Sequence, residues 1–179
     1  KIQEKMKNNF YTKILLILAL SLSPFVVFAE ENKKDISEHQ YNFYTGNFDF
    51  SDDKQKAVLF GIQHQNETLQ RNIFLGNASP ITGAFITESS AAYVYTGVEW
   101  NYTMSDKLKF TPSFAPGLYH QGDGKDLGHT LEFKTEVQLS YAISDSTNLG
   151  MSYNHISNAS LGDKNPGANS YMFNFLKNF

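Results

Sequence analysis

The sequence has 179 residues, which is enough for one ordinary domain but too few for two. With 17 acidic and 11 basic residues, the part after residue 29 has a formal charge of −6. This acidic balance argues against a nucleic-acid partner, because neutralising phosphates needs a basic surface. The sequence contains no cysteine, so it excludes a disulfide framework and a thiolate metal site.

The N-terminal segment has the organisation of a secretory signal peptide. Lysines precede an apolar run at 14–28, which closes on Ala29 before a pair of glutamates. We predict a start at Met6 and cleavage after Ala29, so that residues 1–29 are a signal peptide with a few residues upstream of it. A transmembrane anchor is the alternative, but the run is short for a span and no stop-transfer cluster follows. Residues 30–38 are then a short polar lead, and residues 39–179 form the folded domain.

The folded domain alternates between apolar and polar residues with a period of two, which is typical of β-strands with two different faces. In 131–141, the odd positions are almost wholly apolar and the even ones are charged or polar. About eight strands are expected, and a bulge is predicted near Gly97, where the apolar residues change parity. Nine segments qualify, of which the weak one at 69–76 is expected to be a loop or a continuation of its neighbour. The nine are 39–50, 56–66, 69–76, 80–88, 91–104, 107–119, 129–143, 147–157 and 169–179.

Two architectures could use such strands. In a soluble sandwich the apolar faces would pack against a second sheet, whereas in an outer-membrane barrel they would face lipid and the polar faces would line the lumen. The C-terminus favours the barrel, because Tyr171, Phe173, Phe175 and Phe179 share one parity. We therefore predict an all-β fold, an eight-stranded antiparallel transmembrane β-barrel of the outer-membrane type, with Glu132, Lys134 and Glu136 in a lumenal polar network.

One pair of side chains in the strand at 147–157 could carry chemistry. His155 and Ser157 are two residues apart, so they leave the same face of the strand about 7 Å apart. A histidine can accept the serine proton and make the hydroxyl a nucleophile. The pair continues the apolar stripe of Leu149, Met151 and Tyr153, which places it on the outside of the barrel, where it would meet a lipid. His-x-Ser alone is a weak signal, and the alternative is an interfacial histidine beside a strand-ending serine.

A longer run of residues resembles a known family. The segment His155-Ile156-Ser157-Asn158-Ala159, followed by Asn165-Pro166-Gly167, is similar to the C-terminal signature of the lipid A 3-O-deacylase (PagL) family. Fragments between Pro112 and Phe133 resemble the middle strands of the same family. The resemblance is weak before Tyr93.

The resemblance implies an exterior serine-hydrolase site near the outer leaflet of a Gram-negative outer membrane. Ser157 would attack the ester carbonyl at the 3-position of lipid A, His155 would serve as general base and then acid, and a fatty acid would leave. Asn158 and Asn165 are candidate donors to the oxyanion, a contribution of about 3 kcal/mol each. No cofactor and no metal is implied. The implied partners are lipid A or lipopolysaccharide as substrate and the surrounding membrane lipid, with a homodimer left open.

One position departs from the family pattern. The third catalytic residue of the family is a glutamate on the last strand, and the matching position here is Asn169. An amide oxygen can hold the imidazole, but it cannot stabilise the imidazolium with a charge. Parity points Glu132 and Glu136 into the lumen, and Asp163 lies in a turn. The alternatives to a deacylase are therefore an inactive structural barrel, a phospholipid esterase, or a periplasmic ligand-binding barrel with its apolar faces turned inward.

Overall fold

The computed structural model describes residues 38–53, 55–73 and 75–179. The predicted signal peptide at 1–29 and nearly all of the polar lead at 30–38 lie outside the described residues. Within the described ranges, no helix is both long enough and apolar enough to cross a membrane.

The described residues form β-strands and one short 3₁₀ helix at Glu67–Leu69. The strands are β1 (His39–Phe48), β2 (Ala57–Asn66), β3 (Arg71–Ile73), β4 (Gly76–Thr87), β5 (Ala92–Trp100), β6 (Tyr102–Thr103), β7 (Leu108–His120), β8 (Leu131–Ser144), β9 (Thr147–Ser157) and β10 (Ala168–Asn178).

Eight of these strands form a closed antiparallel barrel. Their order is β2-β1-β10-β9-β8-β7-β5-β4, and β4 pairs back onto β2 to complete the ring. β3 and β6 are short additions that pair with β4 and β7. The predicted eight-stranded barrel is confirmed, and the segment at 69–76 is not one of its strands, because its few ladder residues only extend β4 beyond the ring. Closure leaves no long edge with unpaired backbone groups.

The bulge predicted near Gly97 is wrong. β5 keeps a single register with β4 across this residue, and its register with β7 is the same before and after it. The apolar parity changes for another reason, because the inward positions pass from Tyr93 and Tyr95 to the buried carboxylate of Glu99. The strand then ends at Trp100, and Asn101 accepts a hydrogen bond from the Thr111 hydroxyl at 2.9 Å.

The barrel wall is apolar on the outside, whereas polar side chains share the inside with a cluster of apolar and aromatic ones. The alternation of side chains leaves large outward residues exposed, up to 65% for Phe173, and this group includes Phe43, Phe60, Val94, Leu118, Leu139 and Met151. Inward residues such as Asn42, Gln63, Gln138, Ser152 and Asn174 are buried. A lipid-facing wall has this distribution. It contradicts the alternative of a binding barrel with its apolar faces turned inward.

The interior is filled by side chains. Lys134, only 2% exposed, forms an ion pair with Glu136 at 3.0 Å and lies 4.0 Å from the ring centroid of Tyr95. Glu132 is fully buried in the same lumen. The three residues of the predicted polar network therefore all point inward, as expected for a narrow barrel packed with side chains.

Tyrosine rings in the lumen depend on glycines in neighbouring strands. A Cβ atom at Gly61 would fall on the ring of Tyr44, which is held by hydrogen bonds to the Ala84 carbonyl and the Tyr95 hydroxyl. Gly117 leaves the same kind of space for Tyr93. The missing side chains let the rings lie flat against the wall.

We expect Gly61→Ala to destabilise the barrel by about 1–3 kcal/mol, because the added methyl group overpacks the buried Tyr44 ring. Urea unfolding in detergent micelles, followed by the fluorescence of Trp100, measures the change. In a Tyr44→Leu background the ring is gone, so the same glycine change should cost less there. An equal cost in both backgrounds would contradict the packing explanation.

Candidate active site

The candidate residues lie at one end of the barrel, on its outer surface. β9 ends at Ser157, and β10 begins beside it, with His155 opposite Asn169 in the ladder. Asn154, Ile156 and Asn158 point inward and are buried, whereas His155 and Ser157 lie on the outer face and are half-buried. The first residue of β1 and the last residues of β10 lie at the opposite end of the barrel. The site therefore lies beside the loops that join β1 to β2, β7 to β8 and β9 to β10.

His155 is held by the amide of Asn169. The distance from His155 Nδ1 to Asn169 Oδ1 is 2.8 Å, and the Tyr153 hydroxyl donates to the same oxygen at 2.8 Å. An acceptor at Nδ1 places the ring proton on Nδ1 and leaves Nε2 with its lone pair. This is the tautomer that a general base requires.

Ser157 shares the outer face with His155 but is not bonded to it. Its backbone pairs with Phe133 of β8, and its hydroxyl makes no side-chain hydrogen bond within the described part of the chain. Strand geometry thus brings the two side chains to one surface, while the structure joins only His155 and Asn169 directly.

The two predicted oxyanion donors are placed differently. Asn158 is fully buried, and its side-chain amide donates to the carbonyls of Leu127 at 2.7 Å and Lys164 at 2.9 Å. Its backbone N–H donates to Asn165 Oδ1 at 3.0 Å. Asn158 therefore binds two loops together, whereas Asn165 is exposed and its amide N–H groups project from an oriented side chain.

Loop contacts fix the turn that carries Asn165. Lys164 forms an ion pair with Asp126 at 2.6 Å across the two loops. The Lys164 ammonium and the Gly128 N–H donate to the Asp126 carboxylate and lower its pKa below the ordinary value. This ion pair is exposed, so it helps to align the loops more than it stabilises the fold.

A segment that the sequence analysis missed wraps around Asn169. Phe50 N–H donates to the Asn169 carbonyl at 3.0 Å, and Asn169 N–H donates to Asp49 Oδ1 at 3.4 Å. The Asn169 side-chain amide donates to Ser51 Oγ at 3.4 Å. The Asp49 carboxylate, 1% exposed, forms an ion pair with Lys125 at 2.5 Å. In the sequence, 51–53 signals only a turn, and no local pattern links Asp49 to Asn169, which lies 120 residues away.

None of the carboxylates considered as substitutes for the missing glutamate reaches this surface. Glu132 and Glu136 are in the lumen, and Asp163 is exposed in the turn without a partner among the described residues. Among the same residues, no group of three or more His, Cys, Asp or Glu side chains could hold a metal ion.

An apolar groove runs along the outer wall beside the site. It has a volume of about 250 Å³ and passes beside Tyr153, which also contacts Asn169. The side chains that line it on the outer wall are Phe110, Val137, Leu139, Met151, Tyr153 and Tyr171. A surface of this composition fits a hydrocarbon chain.

Comparison with known proteins identifies the family. A family model described as "Lipid A 3-O-deacylase (PagL)" matches residues 43–178. No curated protein sequence matches this chain.

Solved structures show the same fold at low sequence identity. The crystal structure of the outer membrane enzyme PagL is 15% identical, with a TM-score of 0.60, and the match covers 78% of this chain and 99% of that one. De novo designed transmembrane β-barrels match with 12% identity and a TM-score of 0.55, over 83% of this chain and 100% of theirs. The Neisserial surface protein A matches with 10% identity and a TM-score of 0.50, over 79% and 96%.

The family match extends over most of the barrel, from within β1 to the end of β10, and includes every residue of the candidate site. The closed barrel with an apolar wall agrees with it. The chain therefore belongs to the lipid A 3-O-deacylase (PagL) family of outer-membrane hydrolases.

Proposed function

We propose that this protein is a serine esterase that removes the ester-linked 3-(hydroxy)acyl chain from lipid A. The observation that carries the proposal is the hydrogen bond between His155 Nδ1 and Asn169 Oδ1 on the lipid-facing surface. This hydrogen bond keeps the ring proton on Nδ1, so that the Nε2 lone pair can act as a base for Ser157, two residues along the strand. A histidine that served only the membrane interface would not need this orientation.

The reaction follows from these positions. His155 Nε2 removes the Ser157 proton as Oγ attacks the ester carbonyl, and the imidazolium then gives the proton to the leaving sugar oxygen. A water molecule hydrolyses the resulting acyl–Ser157 ester by the same proton transfers. The Ser157–His155 hydrogen bond forms when the substrate is in place, as catalytic contacts of free enzymes often do.

Asn165 is the side chain best placed to stabilise the oxyanion. Its Oδ1 accepts from the Asn158 N–H, which fixes the orientation of the exposed amide and leaves its N–H groups free to donate. Asn158 supports Asn165 indirectly, because its buried side-chain amide already donates to the Leu127 and Lys164 carbonyls and holds the loops. Each preorganised donor of this kind is worth about 3 kcal/mol in the transition state.

The groove beside Tyr153 gives the acyl chain a place to bind. From the site at the loop end of the barrel, it descends the outer wall toward the middle of the strands, past Leu139 and Met151. An acyl chain of a membrane lipid also points toward the bilayer centre. We therefore assign the loop end to the outer leaflet, with the polar head of lipid A near the loops and the cleaved chain in the groove.

We expect the refolded protein to release one hydroxyacyl chain from lipid A and Ser157→Ala to abolish the release, because the nucleophile is lost. Mass spectrometry of the lipid after incubation measures the product. Ser160→Ala, in the exposed turn, is the matched serine control and should retain activity. Unchanged lipid A with the correctly refolded barrel would contradict the deacylase, and release of fatty acid from phospholipid alone would favour the phospholipid esterase instead.

We expect Gly167→Ala to reduce kcat without unfolding the barrel. Gly167 has a φ of 62°, and a Cβ atom there would lie 2.8 Å from Cε1 and 3.3 Å from Nε2 of His155. The methyl group would displace the imidazole, and a misplacement of about 1 Å can cost about 10²-fold in rate. Lipid A deacylation rates, with heat-modifiable gel mobility as the folding control, measure the effect. Full activity would contradict the assigned position of His155.

We expect Asn165→Ala to reduce kcat by about 10²-fold, because an oxyanion donor is lost. Asn165→Asp is the sharper variant, since a carboxylate still accepts from Asn158 N–H and keeps the turn. It offers no donor and repels the oxyanion, so its kcat should be at least as low. An Asp variant with near-normal kcat would show that Asn165 only shapes the loop.

A further inference from the structure

We propose that Asp49, acting through Ser51, supplies His155 with the negative charge that Asn169 lacks. Asp49 is then a positioning residue of the reaction, and the inference rests on the function proposed above.

A continuous chain of hydrogen bonds leads from the imidazole to this carboxylate. His155 Nδ1 faces Asn169 Oδ1 at 2.8 Å, the Asn169 amide donates to Ser51 Oγ at 3.4 Å, and the Ser51 hydroxyl donates to Asp49 Oδ1 at 3.4 Å. Every donor in the chain points toward the carboxylate. The dipoles of the amide and the hydroxyl are therefore aligned, with their negative ends toward His155.

This alignment changes what the neutral amide can do. When His155 becomes an imidazolium, Asn169 alone offers a dipole, whereas the aligned chain is anchored on a full negative charge. The carboxylate also accepts from Asn169 N–H, which fixes the backbone of the same residue. Asp49 thus acts on both the side chain and the main chain that hold His155.

The carboxylate of Asp49 is buried next to a cation. The Asp49 carboxylate is 1% exposed and would be costly to bury alone, but the Lys125 ammonium lies 2.5 Å from it. Lys125 also approaches Asp52 at 3.9 Å, so this cation is shared between two carboxylates. The ammonium compensates the field of Asp49 only in part.

The other described groups around His155 carry no negative charge that could take the role proposed for Asp49. Tyr153, on the same strand, donates to Asn169, and Thr135 is the uncharged neighbour on β8. Gly167 contributes no side chain on the β9–β10 turn. Glu132 and Lys134 lie on β8 at the same end of the barrel, but both are buried in the lumen, on the other face of the wall from His155. Among the described loop residues, Asp126 pairs with Lys164, Asp53 pairs with Lys56, Glu88 accepts from Val58 N–H, and Asp123 and Asp163 are exposed.

The test compares Asp49→Asn in two backgrounds. With Asn169 present, Asp49→Asn removes the charge but keeps a side chain of the same shape. We expect the acid limb of the pH profile of deacylation to move to lower pH, because a nearby negative charge favours the imidazolium, which must lose its proton before it can act as a base. We also expect kcat to fall about three- to tenfold with little change in KM. NMR titration of the imidazole in micelles and the pH profile of deacylation measure the two effects.

In an Asn169→Glu background, Asp49→Asn should no longer lower kcat. A glutamate would contact His155 directly and would stand against Asp49 as a like charge, so Asp49→Asn should leave kcat unchanged or raise it. An equal loss of kcat in both backgrounds would overturn the proposal, since it would show that Asp49 only holds the loop.

Lys125→Met provides the matched control for loosening of the loop. It breaks the same ion pair from the other side, while Ser51 and the Asn169 N–H still donate to Asp49, so the acid limb of the pH profile should not move to lower pH. If the acid limb moved to lower pH in both Asp49→Asn and Lys125→Met, the proposal would be overturned, because loosening of the loop would then explain both changes. The NMR titration needs no turnover. If the wild-type barrel leaves lipid A unchanged, the proposed function fails, while the NMR titration of the Asp49→Asn variant against the wild type still decides whether Asp49 acts on His155.

Discussion

Closure of the sheet between β2 and β4 is the constraint on which the rest of the structure depends. A barrel wall in lipid cannot leave backbone groups unpaired, so eight strands must form a complete ring. Once the ring is closed, the period of two decides which side chains face lipid and which face the lumen. This rule places Lys134 and Glu136 in a buried ion pair and Met151 in the exposed wall. It also brings His155 and Ser157 to the outer surface, where a hydrolase can act on a lipid without opening the barrel.

The same period of two, which sets the face of each side chain, also explains which parts of the site could be predicted from the sequence. His155, Ser157 and Asn169 could be assigned to one outer face because two of them share a strand and the third shares the stripe of Tyr171. The rule failed at Gly97, where the inward residues change from tyrosine to Glu99 while the backbone stays regular. It gave nothing for Asp49 or Lys125, because these residues lie in loops and meet only after the ring has closed. Their contact is a tertiary one, with no period or spacing to indicate it.

The structure also separates two roles that the sequence could only group together. Asn158 and Asn165 are both asparagines near Ser157. The first is buried and donates to two loop carbonyls, whereas the second is exposed. Buried Asn158 holds the turn in place, and the turn carries exposed Asn165 on the surface. This division is common in sites built on a rigid scaffold, where a supporting shell fixes the groups that contact the substrate.

The position of the charge follows from the cost of placing it on a lipid-facing wall. A glutamate at 169 would set a carboxylate on the outer face next to Tyr171 and the apolar groove, where few groups could compensate it. Asp49, the first residue after β1, is buried instead, and its oxygens accept from Lys125, Ser51 and the Asn169 N–H. The neutral amide at 169 then stands between the charge and the lipid. In this arrangement Asn169 presents a dipole, not a charge, to the lipid-facing surface, and the ion pair of Asp49 with Lys125 stays buried among the loops.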